Sequence, residues 1–194
     1  YRLIDFMLSS YVNAGITDVG LIVHESYQSL LDHLGSGKDW ELSRKHGGLR
    51  ILPPFGYNAQ NQREYQGNVE ALAGVASYLK NIRQDYVIMG WGDIAVNLPV
   101  TEIFEQHLAT GADITAFYAQ PSDAFDGEGF EGESDAHFTV DPETKVITAM
   151  EVGDSHPTCA CPSLKIYVAE RETLLHLVEK SSANGYHHFG RDLI

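Results

Sequence analysis

The chain has 194 residues, of which 43% are hydrophobic and 21% charged, and its formal net charge is -14. This length suits one globular domain with a substantial core, and no apolar run approaches the roughly 20 residues that a membrane span requires. A surface this acidic repels nucleic acid and anionic lipid headgroups, so we expect neither a nucleic-acid partner nor a membrane partner. A phosphate substrate is still compatible with it, because backbone N–H groups, a metal or one basic side chain can hold a phosphate locally.

The two cysteines, Cys159 and Cys161, are separated by one residue. In an extended segment their side chains would point to opposite faces, which disfavours a mutual disulfide. We therefore expect reduced thiols and a cytoplasmic protein.

Apolar residues recur along the chain alternately at helical spacing and in short strand-like runs. In the first half of the chain, the patterns predict a helix from Leu3 that stops at Gly15, a strand at residues 18–23, a helix at 27–34, a strand at 49–52 and a helix after Asn68 that reaches residue 79. They then predict a strand at 86–89, a helix at 100–109 and a strand at 113–119. The last predicted elements are a hairpin with strands at 138–141 and 145–150, a strand at 164–168 and a helix at 171–182.

Polar and small residues mark where these elements begin and where loops interrupt them. Ser26 and Asn68 can each cap the helix that follows. Residues 35–63 are rich in Gly, Pro, Asn and Gln and predict a long surface excursion, while the acidic, Gly-rich residues 123–135 predict a loop. The alternation of strands and helices indicates a single layered α/β domain over residues 1–194, with a mostly parallel sheet.

Asp93 is the first candidate for chemistry. Ligands of layered α/β sheets bind beyond the carboxyl ends of the strands, and Asp93 follows the apolar strand at 86–89 and a Gly-x-Gly turn. The glycines would let a ligand approach the backbone, and the carboxylate could hold a hard cation such as Mg²⁺. The alternative is a turn aspartate that only caps the next segment.

Two further segments could contribute to a site. Asp192 could supply a second carboxylate, although a helix N-cap or first-turn acid is the commoner role for such a residue. Residues 65–70, YQGNVE, combine a glycine with a helix N-terminus, which suits an anion or a base edge. The alternative for this segment is a plain junction between a loop and a helix.

Several blocks of sequence follow one known pattern, in order, along nearly the whole chain. Residues 1–16 read YRLIDFMLSSYVNAGI, close to YRLIDFPLSNCINSGI. Residues 65–72, YQGNVEAL, are similar to YRGTADAV, and residues 86–93, YVIMGWGD, to YVLILAGD. Residues 163–168, SLKIYV, stand where SMGIYVF would, and residues 188–194, HFGRDLI, are similar to DFGKDII. With these blocks the chain resembles bacterial glucose-1-phosphate adenylyltransferase, also called ADP-glucose pyrophosphorylase.

The resemblance implies a three-layer, Rossmann-like nucleotidyltransferase domain that is truncated at both ends, without the family's first strand and Gly-rich loop and without its C-terminal β-helix. It implies that glucose 1-phosphate attacks ATP, with ADP-glucose and pyrophosphate as products. Asp93 and Asp192 would be the catalytic carboxylates that hold Mg²⁺. Gly67, Asn68 and Gly92 would lie at the nucleotide.

The chain departs from the family pattern where substrates are expected. The nucleotide segment PAQQR reads PPFG at residues 53–56, and the sugar-binding block FGV reads DAH at residues 135–137. In FVEKP, the motif for the sugar phosphate, Glu151 is kept but Val152 replaces the lysine, and valine offers no charge to a phosphate. These departures indicate a weakly active or regulatory subunit of the GlgD type that pairs with a catalytic subunit. The alternatives are a catalytically silent interaction subunit and an enzyme for another sugar phosphate.

Overall fold

The computed structural model describes residues 1–23, 27–52, 67–120, 136–153 and 158–194. The helices in these parts are α1 (Leu3–Asn13), α2 (Gln28–Leu34), α3 (Asn68–Gly74), α4 (Ala76–Asn81), α5 (Val100–Thr110) and α6 (Arg171–Ala183). The strands are β1 (Asp18–Ile22), β2 (Gly48–Leu52), β3 (Tyr86–Met89), β4 (Ile114–Tyr118), β5 (His137–Val140), β6 (Ile147–Glu151) and β7 (Cys161–Glu170). A 3₁₀ helix, Lys38–Trp40, follows α2, and a π-helical turn, Phe189–Leu193, follows α6.

The predicted order of helices and strands is confirmed within the described residues. β3 has the predicted bounds, and β7 extends the strand predicted at residues 164–168 in both directions. The predicted cap Ser26 and the predicted loop at 123–135 lie outside the described residues. None of the helices in the described parts of the chain has the length and apolar character needed to span a bilayer.

The helix predicted after Asn68 differs from the prediction in two ways. Asn68 is its first residue rather than its cap, and the cap is Gly67, in extended backbone. The Asn68 side chain is engaged elsewhere, because its Oδ1 accepts a hydrogen bond from the Phe189 N–H at 2.5 Å. The helix also breaks at Val75, between α3 and α4. Gly74 and the β-branched Val75 both have low helix propensity, which accounts for the position of the break.

The expected mixed arrangement of strands is confirmed, but the described pairings are mostly antiparallel rather than mostly parallel. β1 and β2 pair in parallel. In the five-stranded sheet, the described pairings of β7 with β3, β4 and β5, and of β5 with β6, are all antiparallel. The crossover through α5 does make β3 and β4 run in the same direction, as the alternation of elements predicts. β7 inserts between them in the opposite direction, and this corrects the prediction.

Helices cover both faces of the five-stranded sheet, so the expected three-layer α/β architecture is confirmed. On one face, Met7 of α1 packs in a buried cluster with Ile166 of β7. On the other face, Leu174 of α6 packs with Tyr167, the next residue of β7. Neighbouring residues of β7 thus serve opposite layers, as the alternation of side chains along a strand requires.

Helix α1 also connects the two sheets. While Met7 packs against the five-stranded sheet, Leu8 packs with Leu34 and Leu42 in a separate cluster that includes Val19 of β1. One helix therefore buries adjacent residues against different sheets.

The pairings of β7 define which strands share its edges. Val168 pairs with Ile88 of β3 and with Thr115 of β4, so β3 and β4 lie on opposite edges of β7. β5 pairs with β7 at Pro162, whose carbonyl accepts a hydrogen bond from the Ala119 N–H at the end of β4. β5 therefore lies opposite β4, on the same edge of β7 as β3.

The predicted hairpin is formed by β5 and β6. Asp141 organises its turn, because its Oδ1 accepts hydrogen bonds from the Glu143 N–H and from the N–H and hydroxyl of Thr144. These hydrogen bonds, those from Thr144 foremost, lower the pKa of the Asp141 carboxyl. Lys145 follows with a left-handed backbone, at φ +60°.

His107 is a buried titratable residue of α5. Its side chain is 3% exposed, and its Nδ1 lies 2.7 Å from the Thr115 hydroxyl oxygen. Its ring packs edge-on against Tyr86 with 5.6 Å between centroids. Burial lowers the pKa of His107 below its ordinary value of 6.5, because the charged form loses solvation.

We expect this histidine to make the protein less stable in mild acid. Below about pH 6.5 the unfolded chain binds a proton at His107 that the folded chain does not, so the free energy of unfolding falls as pH decreases from that point. His107→Gln should flatten this dependence in urea denaturation at pH 5.0–7.0. The matched control is His176→Gln, an exposed position on α6. An unchanged slope in His107→Gln would contradict the assignment.

Candidate functional site

β3 and β5 share one edge of β7 but pair with different parts of it. β3 ends with Met89 opposite Tyr167, whereas β5 pairs with β7 at Pro162. Ser163 still donates its N–H to the Ala136 carbonyl beside β5. Among the described strands, none pairs with residues 164–166 on this edge. We refer to this unpaired edge of β7, which lies beyond the carboxyl end of β3, as the crevice, since ligands of α/β sheets bind beyond the carboxyl ends of strands.

The segment after β3 lies tightly against α1. A Cβ at Gly90 would lie 2.6 Å from Met7 Cε and 2.8 Å from the Tyr11 hydroxyl oxygen. A Cβ at Gly92 would lie 2.6 Å from Ile4 Cδ1. Both glycines thus pack closely against side chains of α1, although at Gly92 the nearest atom is the tip of a flexible side chain that can shift. The predicted nucleotide contact of Gly92 stays a prediction.

Between these glycines, Trp91 belongs to the opposite face of the sheet, because side chains alternate along an extended segment. Its ring packs edge-on against Tyr167 with 6.3 Å between centroids, and Tyr167 in turn packs against Phe189 at 5.1 Å. We call Trp91, Tyr167 and Phe189 the aromatic series. It connects the end of β3 with the π-helical turn that contains Asp192. Asp93, two residues after Trp91, is exposed in a turn.

The start of α3 docks onto the segment that precedes the π-helical turn. A Cβ at Gly67 would collide with the backbone carbonyl oxygen of His187 and would lie 2.7 Å from its carbonyl carbon. The same carbonyl accepts a hydrogen bond of 3.0 Å from the Val69 N–H, and the Asn68 Oδ1 accepts one from Phe189. Gly67 is therefore required by a close backbone approach, and the Val69 N–H is engaged within the protein.

Asp192 stabilises the backbone of residues 187–188, which precede the π-helical turn. Its Oδ2 accepts hydrogen bonds of 2.9 Å from the N–H groups of His187 and His188. These contacts are those of the capping alternative, so the role of Asp192 as a metal ligand stays a prediction. Within the described ranges, no group of three or more His, Cys, Asp or Glu residues is arranged to hold a metal ion.

Glu151 is engaged at the end of β6. Its carboxylate accepts hydrogen bonds from the Thr158 hydroxyl at 2.5 Å, the Thr158 N–H at 2.6 Å and the Cys159 N–H at 3.0 Å. These contacts, that of the Thr158 hydroxyl foremost, lower the pKa of Glu151. Val152 follows as a half-buried residue. Cys159 and Cys161 are both free thiols, as expected from their spacing.

The structure thus brings some of the predicted residues together and not others. Gly67, Asn68 and Asp192 belong to one set of direct contacts around His187. Trp91, two residues before Asp93, connects to this set through the aromatic series. Glu151 and Val152 lie at the end of β6, with β5 between β6 and β7. Sequence reasoning missed the aromatic series. The available signal was a tryptophan between two glycines at the end of an apolar strand.

A separate shallow cleft of about 240 Å³ lies along α1. Its lining residues are Tyr1, Asp5, Phe6, Ser9, Ser10, Val96 and Asn97, none of which was predicted as a site residue. Burial acts to raise the pKa of Asp5, but hydrogen bonds from the Arg2 N–H and His33 outweigh it and lower the pKa. The Nε2 of His33 lies 2.7 Å from the Asp5 carboxylate, so this pair ties α1 to α2.

Comparison with known proteins assigns the family. Residues 1–125 match the nucleotidyl transferase family. The chain belongs to this family. The matched range includes the start of α3, the end of β3 and Asp93, while β5 and β7 follow it along the chain.

The relatives of this nucleotidyl transferase chain include named enzymes. Over 196 residues it is 30% identical to glucose-1-phosphate adenylyltransferase of Halalkalibacterium halodurans, a match that covers 100% of the chain and 49% of the relative. The enzyme of that name from Thermotoga neapolitana is 32% identical, in a match that covers 100% of the chain and 44% of the relative. The glycogen biosynthesis protein GlgD of Geobacillus stearothermophilus is 36% identical over 59% of the chain and 33% of the relative. The chain spans about half the length of these adenylyltransferases.

A solved structure supports the fold. A Bacillus anthracis protein, assigned as a glucose-1-phosphate thymidylyltransferase and crystallised with sucrose, superposes with a TM-score of 0.69. The match covers 96% of this chain and 67% of the other, at 15% sequence identity. At that identity the likeness establishes the nucleotidyltransferase fold alone.

The close approach at Gly67 generates a prediction. Gly67→Ala forces a Cβ against the His187 backbone, which cannot move aside as a flexible side chain can, so we expect a loss of stability of about 1–3 kcal/mol. Asn68→Ala removes one acceptor and should cost about 1 kcal/mol. Because both changes disrupt the same contact with residues 187–189, the double variant should lose less than the sum. Strictly additive losses in urea denaturation would refute the shared contact.

Proposed function

We propose that residues 1–194 are the nucleotidyltransferase domain of a glucose-1-phosphate adenylyltransferase subunit. The reaction joins glucose 1-phosphate to the adenylyl group of ATP and belongs to glycogen biosynthesis, as the names of the relatives suggest. The observation that carries the proposal is the position of Asp93, an exposed carboxylate that follows the carboxyl end of β3, next to the stretch of β7 that neither β3 nor β5 pairs with. An α/β sheet offers its ligand site at such a point.

The chemistry asks for positioning more than for a protein nucleophile. A phosphate oxygen of glucose 1-phosphate attacks the α-phosphorus of ATP, and the bond from that phosphorus to the oxygen of the departing pyrophosphate breaks. Such transfers depend mainly on alignment and on charge neutralisation. The part of this chain is to hold two anionic substrates in line in the crevice, with the half-buried Trp91 as an apolar surface next to Asp93.

Mg²⁺ is the cofactor that this proposal includes. Mg²⁺ takes oxygen ligands and usually keeps several waters, so one or two carboxylates suffice to bind it. Asp93 is exposed, and the Oδ2 of Asp192 is shared with two backbone N–H groups. In this proposal both carboxylates would hold the ion, and the bound ion would offset the charge of the phosphates.

This metal role can be tested with neutral amides. Asp93→Asn should weaken Mn²⁺ binding in the presence of ATP about ten- to a hundredfold, because a charged ligand is lost. Asp192→Asn should do the same and also lower the melting temperature, since Asp192 holds the backbone of residues 187–188. Binding is measured by the electron paramagnetic resonance of free Mn²⁺.

The matched control for the metal experiment is Asp113→Asn. Asp113 is an exposed aspartate directly before β4, at the end of the sheet opposite to Asp93. It should leave Mn²⁺ binding unchanged. Equal Mn²⁺ affinity in the unmodified protein and Asp93→Asn would remove Asp93 from the site.

Within this function, we propose that the chain is a weakly active or regulatory subunit that pairs with a catalytic adenylyltransferase subunit, in the cytoplasm. Val152 offers no charge to a sugar phosphate. Residues 53–56, where the family's glutamines are missing, lie outside the described residues. Glu151, the acid kept from FVEKP, is engaged by Thr158 and Cys159, and this supports weak binding of the sugar.

Val152→Lys should strengthen the site. A lysine at the end of β6 adds a charged partner for the phosphate, so glucose 1-phosphate should bind about ten- to a hundredfold more tightly, with a smaller change for ATP. Calorimetric titration with both ligands measures this. The matched control is Val146→Lys, since Val146 lies in the same hairpin and is 57% exposed. If the unmodified protein already turns over at about 10 s⁻¹, the proposal of a weak subunit is wrong.

The engagement of Glu151 also favours a second candidate, a catalytically silent subunit that acts only through contacts with other subunits. A third alternative is a nucleotidyltransferase for another sugar phosphate. Titration with ATP, ADP-glucose and glucose 1-phosphate separates the three. The silent subunit binds no glucose 1-phosphate even with Val152→Lys, and the third alternative binds ATP together with a different sugar 1-phosphate.

A further inference from the structure

Lys165 lies within the crevice, on the segment of β7 between the pairings with β3 and β5. The antiparallel register of β3 with β7, continued past the end of β3, sets Lys165 opposite Trp91. The packing of Gly90 supports this register, since its Cβ would lie 3.3 Å from Ile166 Cγ1. Lys165 is therefore at the end of the sheet where Asp93 follows β3.

Side chains alternate between the two faces of the sheet along β7, and this assigns Lys165 to one of them. Leu164 and Ile166 both pack in the cluster on the α1 side. Tyr167 and Ala169 pack in the cluster on the α6 side. Lys165, between the first two, belongs to the face of Tyr167 and hence of the aromatic series. It is half-buried there.

The backbone of Lys165 is strained. Its φ is +56°, a left-handed conformation in the middle of a strand, where glycine is the favoured residue. In the pattern SMGIYVF, to which residues 163–168 are similar, glycine stands at this position. Ser163, 1% exposed, fixes the irregularity, because its hydroxyl accepts the Lys165 N–H at 3.1 Å. Strained non-glycine residues of this kind persist where the surroundings hold them and cluster at ligand sites.

The positive charge of Lys165 would offset negative charge at the crevice. The chain carries a formal charge of -14, which includes Asp93, and two phosphate-bearing substrates would add further negative charge at the crevice. The pairs Glu151–His137 and His137–Pro162 run in one row across β6, β5 and β7. Val152, next to this row, therefore lies at the level where β5 and β7 border the crevice.

We propose that the ammonium group of Lys165 binds the phosphate of the sugar 1-phosphate, in place of a cation at position 152. This inference rests on the proposed function and adds to it the residue that gives the site its remaining affinity for that substrate. The binding is reversible and ionic, and it is expected to be weaker than that of a site with lysines on both strands.

Lys165→Gly separates the charge from the backbone. The variant lacks the ammonium but has the residue that a left-handed backbone favours. It should melt no lower than the unmodified protein and bind glucose 1-phosphate about ten- to a hundredfold more weakly in calorimetric titration. Lys165→Arg keeps a positive charge and should recover most of this affinity. The matched control is Lys145→Gly, an exposed lysine with φ +60°, which should bind glucose 1-phosphate unchanged.

The outcomes distinguish this inference from the proposed function. If the unmodified protein binds neither ATP nor glucose 1-phosphate with Mg²⁺ present, both are wrong. If it binds both ligands and Lys165→Gly binds glucose 1-phosphate equally well, only the assignment of Lys165 is wrong. A joint loss of melting temperature and of affinity for both ligands, without recovery in Lys165→Arg, would make Lys165 a structural residue and would also overturn the assignment.

Discussion

The five-stranded sheet depends on β7, against which β3, β4 and β5 all pair. The strand makes backbone hydrogen bonds along both edges and buries side chains on both faces, with Ile166 towards α1 and Tyr167 towards α6. It is also the last strand along the chain. β3 and β4 can therefore join one sheet only after each makes a long-range contact with β7, which is a slow kind of step in folding.

The same constraint creates the crevice. β3 and β5 pair with different parts of one edge of β7, and neither pairs with the residues between those parts. The irregular backbone at Lys165 lies in this interval, and β4 on the other edge shows a matching register shift between Ala116 and Tyr118. The unpaired interval of β7 beyond the carboxyl end of β3, with exposed Asp93 following that end, is thus a consequence of strand pairing.

Local patterns were sufficient for much of the fold and for little of the site. The apolar run of Tyr86–Met89 has no polar interruption and was predicted with its bounds. The insertion of β7 between β3 and β4 could not be predicted, because strand order is decided by tertiary pairing. At Asn68, too, a tertiary contact decides what the local sequence cannot predict. Its local preference is for a helix cap, but the contact of its side chain with the Phe189 N–H overrides that preference.

The carboxylates near the crevice have divided roles, and the division bears on activity. Asp192 and Glu151 accept hydrogen bonds from backbone N–H groups, so each stabilises a segment that borders the site. The hydrogen bonds to Glu151 leave it less available to a sugar hydroxyl, whereas Asp93 is exposed. In the proposed function, substrate binding depends on few charges. A lysine within β7 would then retain affinity for the sugar phosphate where Val152, after the end of β6, offers no charge.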